Sequence, residues 1–115
     1  MSEKIFKIKP VELKQVINDE RGCIATDKIT VEGMKIGFMY REKPDEDIQN
    51  DSGWRFFSGT EEQDYIDDYK NSEIITVNTV ANYDPAIVPY LKSKFGSEWE
   101  RVEGSDKFQE YREED

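Results

Sequence analysis

Four consecutive positions, Trp54-Arg55-Phe56-Phe57, put three aromatic rings and an arginine into a chain with as many charged residues (37%) as apolar ones (36%). Read as a strand over 54–58, they place Trp54 and Phe56 on one face and Arg55 and Phe57 on the other. Where apolar residues are this scarce, a core depends on rings that each bury about 150–250 Å². Trp54 and Phe56 are therefore expected inside, with Arg55 pairing Asp51 or Asp84. The same residue types dominate the energetic centres of protein interfaces, so the segment also reads as a contact surface.

Around this strand the chain alternates short elements. Ile5 to Ile8 reads as a lead-in, and Pro10 with Val11, Leu13, Val16 and Ile17 predicts a first helix over 11–18. Residues 22–26 and 28–31 are expected as strands. The second of these forms a hairpin with 35–41 about Glu32-Gly33, with Gly33 in a left-handed turn conformation. Phe38 and Tyr40 share a face of 35–41 opposite Met39. Residues 42–52 lack periodicity and read as an exposed loop long enough to serve binding. Thr60 and Gln63 fit a capping box for a short helix over 61–69, with Tyr65, Ile66 and Tyr69 inward.

The β-branched run 74–77 predicts a central strand buried on both faces. Asp84-Pro85 opens a helix over 85–94, in which Pro89 forces a bend or a first turn that is not α-helical. Residues 98–103 and 108–112 are weak strands, and the last residues are expected to fray. At 115 residues the expectation is a single α+β domain over 1–115, a mainly antiparallel sheet with about three short helices packed on it. Within it, 1–21 is a lead-in and helix, and 104–115 an acidic tail or final strand.

The formal charge is −10, distributed as +2 over residues 1–41, −8 over 42–68 and −4 over 69–115. Such an acidic middle repels phosphate backbones and anionic headgroups, which argues against nucleic-acid or membrane binding and favours a basic protein partner. The N-terminus lacks a secretory pattern and the lone Cys23 suits a reducing compartment, so a cytoplasmic location is expected.

Little chemistry is available. The chain has no histidine and one cysteine, which removes the common general base, the serine triad and the usual zinc ligand sets. Cys23 falls in an apolar strand and is expected in the core. In the acidic patch Asp45-Glu46-Asp47 with Asp51, Asp45 and Asp47 match a calcium loop, but Asn50 stands where glycine is needed and Phe56 where a bidentate glutamate belongs. No catalytic, cofactor-binding or metal-binding residue is assigned, and no cofactor is expected.

Several blocks taken together resemble a known family: Gly22-Cys23-Ile24, Asp27 to Gly33, Gly37, Met39-Tyr40-Arg41-Glu42, Asp51 to Phe57, Gly59 and Asn78 to Pro85. In that order they are similar to domain of unknown function 2185, also classed as immunity protein 33 of bacterial polymorphic-toxin systems, over about 22–103. After Val88 the run Pro89 to Lys94 departs from the pattern. The resemblance implies a non-enzymatic cytosolic protein that binds and neutralises a toxin, and the charge distribution sets the acidic segment 42–68 against a basic partner, such as a basic toxin domain. The residues expected at that contact are Arg41, Glu42, Asp45, Glu46, Asp47, Asp51, Arg55, Glu61 and Glu62. An accessory or regulatory domain without a toxin partner is the alternative, and a carboxylate enzyme a third.

Overall fold

In the computed structural model, which describes residues 4–111, the aromatic segment lies in strand β3 (Asp51–Phe57) at the middle of a six-stranded sheet. β3 pairs in parallel with β1 (Gly22–Thr26) and antiparallel with β2 (Phe38–Arg41). β4 (Ser72–Thr76) flanks β1, β5 (Glu98–Arg101) flanks β2, and β6 (Phe108–Glu110) flanks β5, all antiparallel. The order is β4-β1-β3-β2-β5-β6. Helices α1 (Asp27–Thr30), α2 (Gln63–Asp67) and α3 (Val77–Tyr83) and three 3-10 turns, Pro10–Glu12, Tyr69–Asn71 and Pro85–Tyr90, complete an α+β fold, as the sequence predicts.

One face of the sheet forms the core. Cys23, Ala25, Met39, Trp54 and Phe56 are fully buried there against Ile29 of α1, Val77 and Val80 of α3, and Ile87 and Leu91. The Trp54 indole N–H donates to the Leu91 carbonyl at 3.2 Å, so the largest buried ring leaves no polar atom unpaired. Burial pushes the Cys23 thiol well above its ordinary pKa, the behaviour of an inert core cysteine.

Several expectations need correction. The helix over 11–18 is absent; Pro10–Glu12 makes one 3-10 turn, and Val11 is exposed. An eight-residue helix is marginal by itself, and α3 offers the backbone better partners. Asn78 Oδ1 accepts from the Val16 and Ile17 N–H groups at 2.8 and 3.0 Å, and Asn82 Oδ1 from Lys14 at 2.9 Å. Residues 28–31 lie in and just beyond α1, not in a strand, and the expected hairpin does not form. Gly33 has the expected positive φ (+77°), but as the end of a helical turn, its N–H donating to the Ile29 carbonyl.

The run 74–77 is not a central strand. β4 is an edge strand with Ile74 on the open side, 59% exposed. The Thr76 hydroxyl accepts from the Thr79 N–H at 3.1 Å and starts α3, which carries Val77 into the core. Around α2 the predicted capping box is replaced by Glu61, whose carboxylate accepts from the Ser58 and Gly59 N–H groups; Ile66 and Tyr69 face outward. β3 begins at Asp51, which shortens the preceding loop to 42–50. After Asp84 the chain is 3-10 through Tyr90, as Pro89 demands. β6 realises the final strand through Glu110, while Arg112 and the residues expected to fray lie outside the described part.

Candidate functional site

Because α1, α3 and the Pro85–Tyr90 turn all pack on the core face, the alternate residues of the strands point to the other side of the sheet. Cross-strand register aligns them. Ile24 of β1 opposes Ile74 and Arg55, Arg55 opposes Tyr40, Phe57 opposes Phe38, and Tyr40 and Phe38 oppose Glu98 and Glu100 of β5. The Tyr40 and Phe57 rings stack 5.7 Å apart at 13°, and Phe38 meets the edge of Tyr111 at 5.3 Å. These rings are half-buried, and they bound a cleft of about 550 Å³ lined also by Glu61, Gln63, Ile66 and Glu100. A second hollow lies between Lys4, Phe6, Ile24, Tyr69 and Ile74 at the β4 side.

Arg55 is the buried cation of this face, and it is fully engaged. Its side chain is 4% exposed and forks onto both Asp51 oxygens at 3.0 and 2.7 Å, with its Nε on Glu42 at 2.7 Å. Asp51 also accepts from the backbone N–H groups of Asp45 and Gly53, so it ties the 42–50 loop to β3. Burial would raise the Asp51 carboxyl, but the hydrogen bonds from Arg55, Asp45 and Gly53 overcome it and hold the group at about 2. Burial likewise opposes the charge on Arg55, and its two carboxylate partners raise its pKa nonetheless.

Glu61 follows the same logic. Burial works against its ionised form, yet the Thr26 hydroxyl at 2.5 Å and the Ser58 N–H lower its pKa. On the core side, Asp84 is buried and caps the following turn while pairing Arg101 and accepting from the Ile36 N–H at 3.0 Å. This accounts for the Asp84 motif as scaffold. Among the described residues, no group of three or more His, Cys, Asp or Glu side chains is arranged to hold a metal ion.

The sequence-predicted contact residues therefore separate. Arg41 is a clamp on the core side: it donates to the Ser52 and Ser93 carbonyls and lies over the Phe95 ring at 4.5 Å. Asp51 and Arg55 hold each other inside the protein. Asp45, Glu46 and Asp47 are exposed in the 42–50 loop, with Glu42 half-exposed at its root. Glu61 and Glu62 lie beyond the other end of β3. The acidic segment is thus divided, with net charge −3 over 42–50, zero over 51–57 and −5 over 58–68. Seven strand residues at about 3.3 Å each separate the two groups by about 20 Å.

The region that carries all of this matches the Immunity protein Imm33 domain over residues 23–112. The chain belongs to that family. The Imm33 match starts at the second residue of β1 and runs past β6, so the sheet apart from Gly22, both acidic groups and the aromatic face between them lie within the immunity domain. No curated protein and no solved structure matches the chain. Sequence reasoning missed the cleft of this Imm33 domain. Its signal was present in the phase shared by Phe38 and Tyr40 on one strand and by Arg55 and Phe57 on another, but only the β2–β3 register unites them. Among the described residues, no helix is long and apolar enough to cross a membrane.

Proposed function

We propose that this Imm33-family protein is a bacterial cytoplasmic immunity protein that neutralises a toxin by stoichiometric binding, with the open face of the sheet as its contact surface. The observation that carries the reading is a half-buried aromatic face on β2 and β3 with acid at both of its ends, in a chain of the immunity family. Aromatic rings supply contact area, and the flanking carboxylates steer a basic toxin domain onto it. Asp51, Arg55 and Glu42 act here as the brace beneath the surface. Glu46, Asp47 and Glu62 make the outer contacts. The absence of histidine and the buried Cys23 fit inhibition by occupancy, without turnover.

The test is co-expression with any toxin domain found encoded beside this gene in its native genome, read as growth; an isolated gene favours the accessory role instead. Restored growth together with a one-to-one complex on size exclusion is the expected result. Continued killing, or rescue without a complex, overturns the reading.

A further inference from the structure

We propose that the cleft bounded by Phe38, Tyr40, Phe57 and Glu100 receives an arginine side chain of the protein partner. This rests on the binding reading above and names the chemistry of its central contact. The rings form the apolar part: Tyr40 and Phe57 lie nearly parallel, Phe38 adjoins both at 6.0 Å, and Tyr111 closes one side. Carboxylates flank them. Glu98 and Glu100 sit directly across from Tyr40 and Phe38 on the same sheet face, and Glu61 lines the wall toward α2. Among the described residues no lysine or arginine pairs with Glu61, Glu98 or Glu100, while Arg55 is saturated by Asp51 and Glu42. Glu61 accepts from Thr26, Ser58 and Gly59 and Glu100 from the Gln109 amide, all neutral donors, so among the described residues the cleft holds negative charge around aromatic faces with no cation paired to it.

That combination selects its occupant. A purely apolar side chain would strip water from the carboxylates without replacing its hydrogen bonds. A cation recovers that loss and is also drawn to the ring faces. Between the two cationic side chains, guanidinium is planar, lies flat on aromatic rings and forks onto carboxylates, whereas ammonium is a strongly hydrated point charge. The volume of about 550 Å³ admits a side chain with its neighbouring backbone. Burial shifts the Tyr40 hydroxyl up, with Glu42 and Glu98 adding to the shift and Arg55 opposing it.

The experiment is a nuclear magnetic resonance titration of the full-length protein with the blocked tripeptide Gly-Arg-Gly, and with the same peptide carrying citrulline or lysine in place of arginine. Saturable shifts at Gly37, Phe38, Tyr40, Phe57 and Glu100 are expected with arginine, at least about tenfold weaker with neutral citrulline and several-fold weaker with lysine. The variant carrying Glu98→Gln and Glu100→Gln should keep its denaturation midpoint and lose about tenfold in affinity for the arginine peptide. Equal binding of the citrulline or lysine peptide, or non-saturable shifts spread over the 42–50 loop, overturns the proposal. A peptide site in a protein that gives no protection in cells would sink the immunity reading alone; protection without a peptide site would sink the cleft alone.

Discussion

Asp51 and Arg55 show how one pair of side chains can serve the fold and the surface together. In a regular strand, residues four apart are separated by about 13 Å. They meet here because Gly53 takes φ +88° and the β1–β3 register shifts between Gly22 and Ile24. The sequence named Asp51 as a partner for Arg55 but could not tell that both would be buried, since that depends on the kink. With the Asp51 carboxyl at about 2 against an ordinary 3.8, its contribution is complete above pH 3.8 and lost as pH falls through 2. About 2 kcal/mol should disappear over that window, and Asp51→Asn should flatten this part of an acid-unfolding curve. At neutral pH the same substitution leaves the Arg55 charge short of a partner and should cost about 3–5 kcal/mol, read from denaturant midpoints. Trp54→Ala should cost about 3–5 kcal/mol, whereas Phe57→Ala, on the open face, should cost less than half as much. A larger loss at Phe57 than at Trp54 would mean the two faces have been assigned the wrong way round.

Among the elements, β1 was legible from its short apolar run, β5 and β6 only as weak strands, and the Asp84-Pro85 turn from its cap. The failures have local causes. Residues 74–77 look like one buried strand because a β-branched run serves equally well as the end of an edge strand and the start of a helix; Thr76 and Thr79 decide the switch. Residues 11–18 look helical because Val11, Leu13, Val16 and Ile17 have the spacing, yet Asn78 and Asn82 draw that segment out along α3. The Asn78 amide also donates to the Lys14 carbonyl at 2.9 Å, so one side chain serves three backbone groups. Asn78→Ala should cost about 1–3 kcal/mol and speed hydrogen exchange at Val16 and Ile17 while β1 and β3 stay protected. Gly53→Ala tests the kink: a Cβ there would stand 2.0 Å from the Glu42 carbonyl oxygen, and the positive φ is strained for any L side chain. Destabilisation of more than about 1 kcal/mol is expected in thermal unfolding, and an unchanged midpoint would show that the backbone relaxes freely.

Across the whole molecule, the acidity evident in the sequence as one block is two groups at opposite ends of β3. A partner steered by charge must therefore feel both, so reversing Glu46 and Asp47 at one end and Glu62 and Asp64 at the other should each slow association, and together more than either alone. Glu61 is unsuited to this test because its carboxylate holds Ser58, Gly59 and Thr26. Association rates at several salt concentrations provide the measurement; identical rates for the native and reversed proteins at low salt would show that the acid is only solvated. The strand order bears on how the chain acquires its shape during synthesis. Both neighbours of β1 lie later in the sequence, so β1 leaves the ribosome with nothing to pair with until β3 follows it, a delay of a few seconds at ordinary translation rates. The first sheet contacts open to the nascent chain are those of β3 with β1 and β2, and a chain halted just after Phe57 would present these three strands with the Trp54 and Phe56 rings still uncovered by α3.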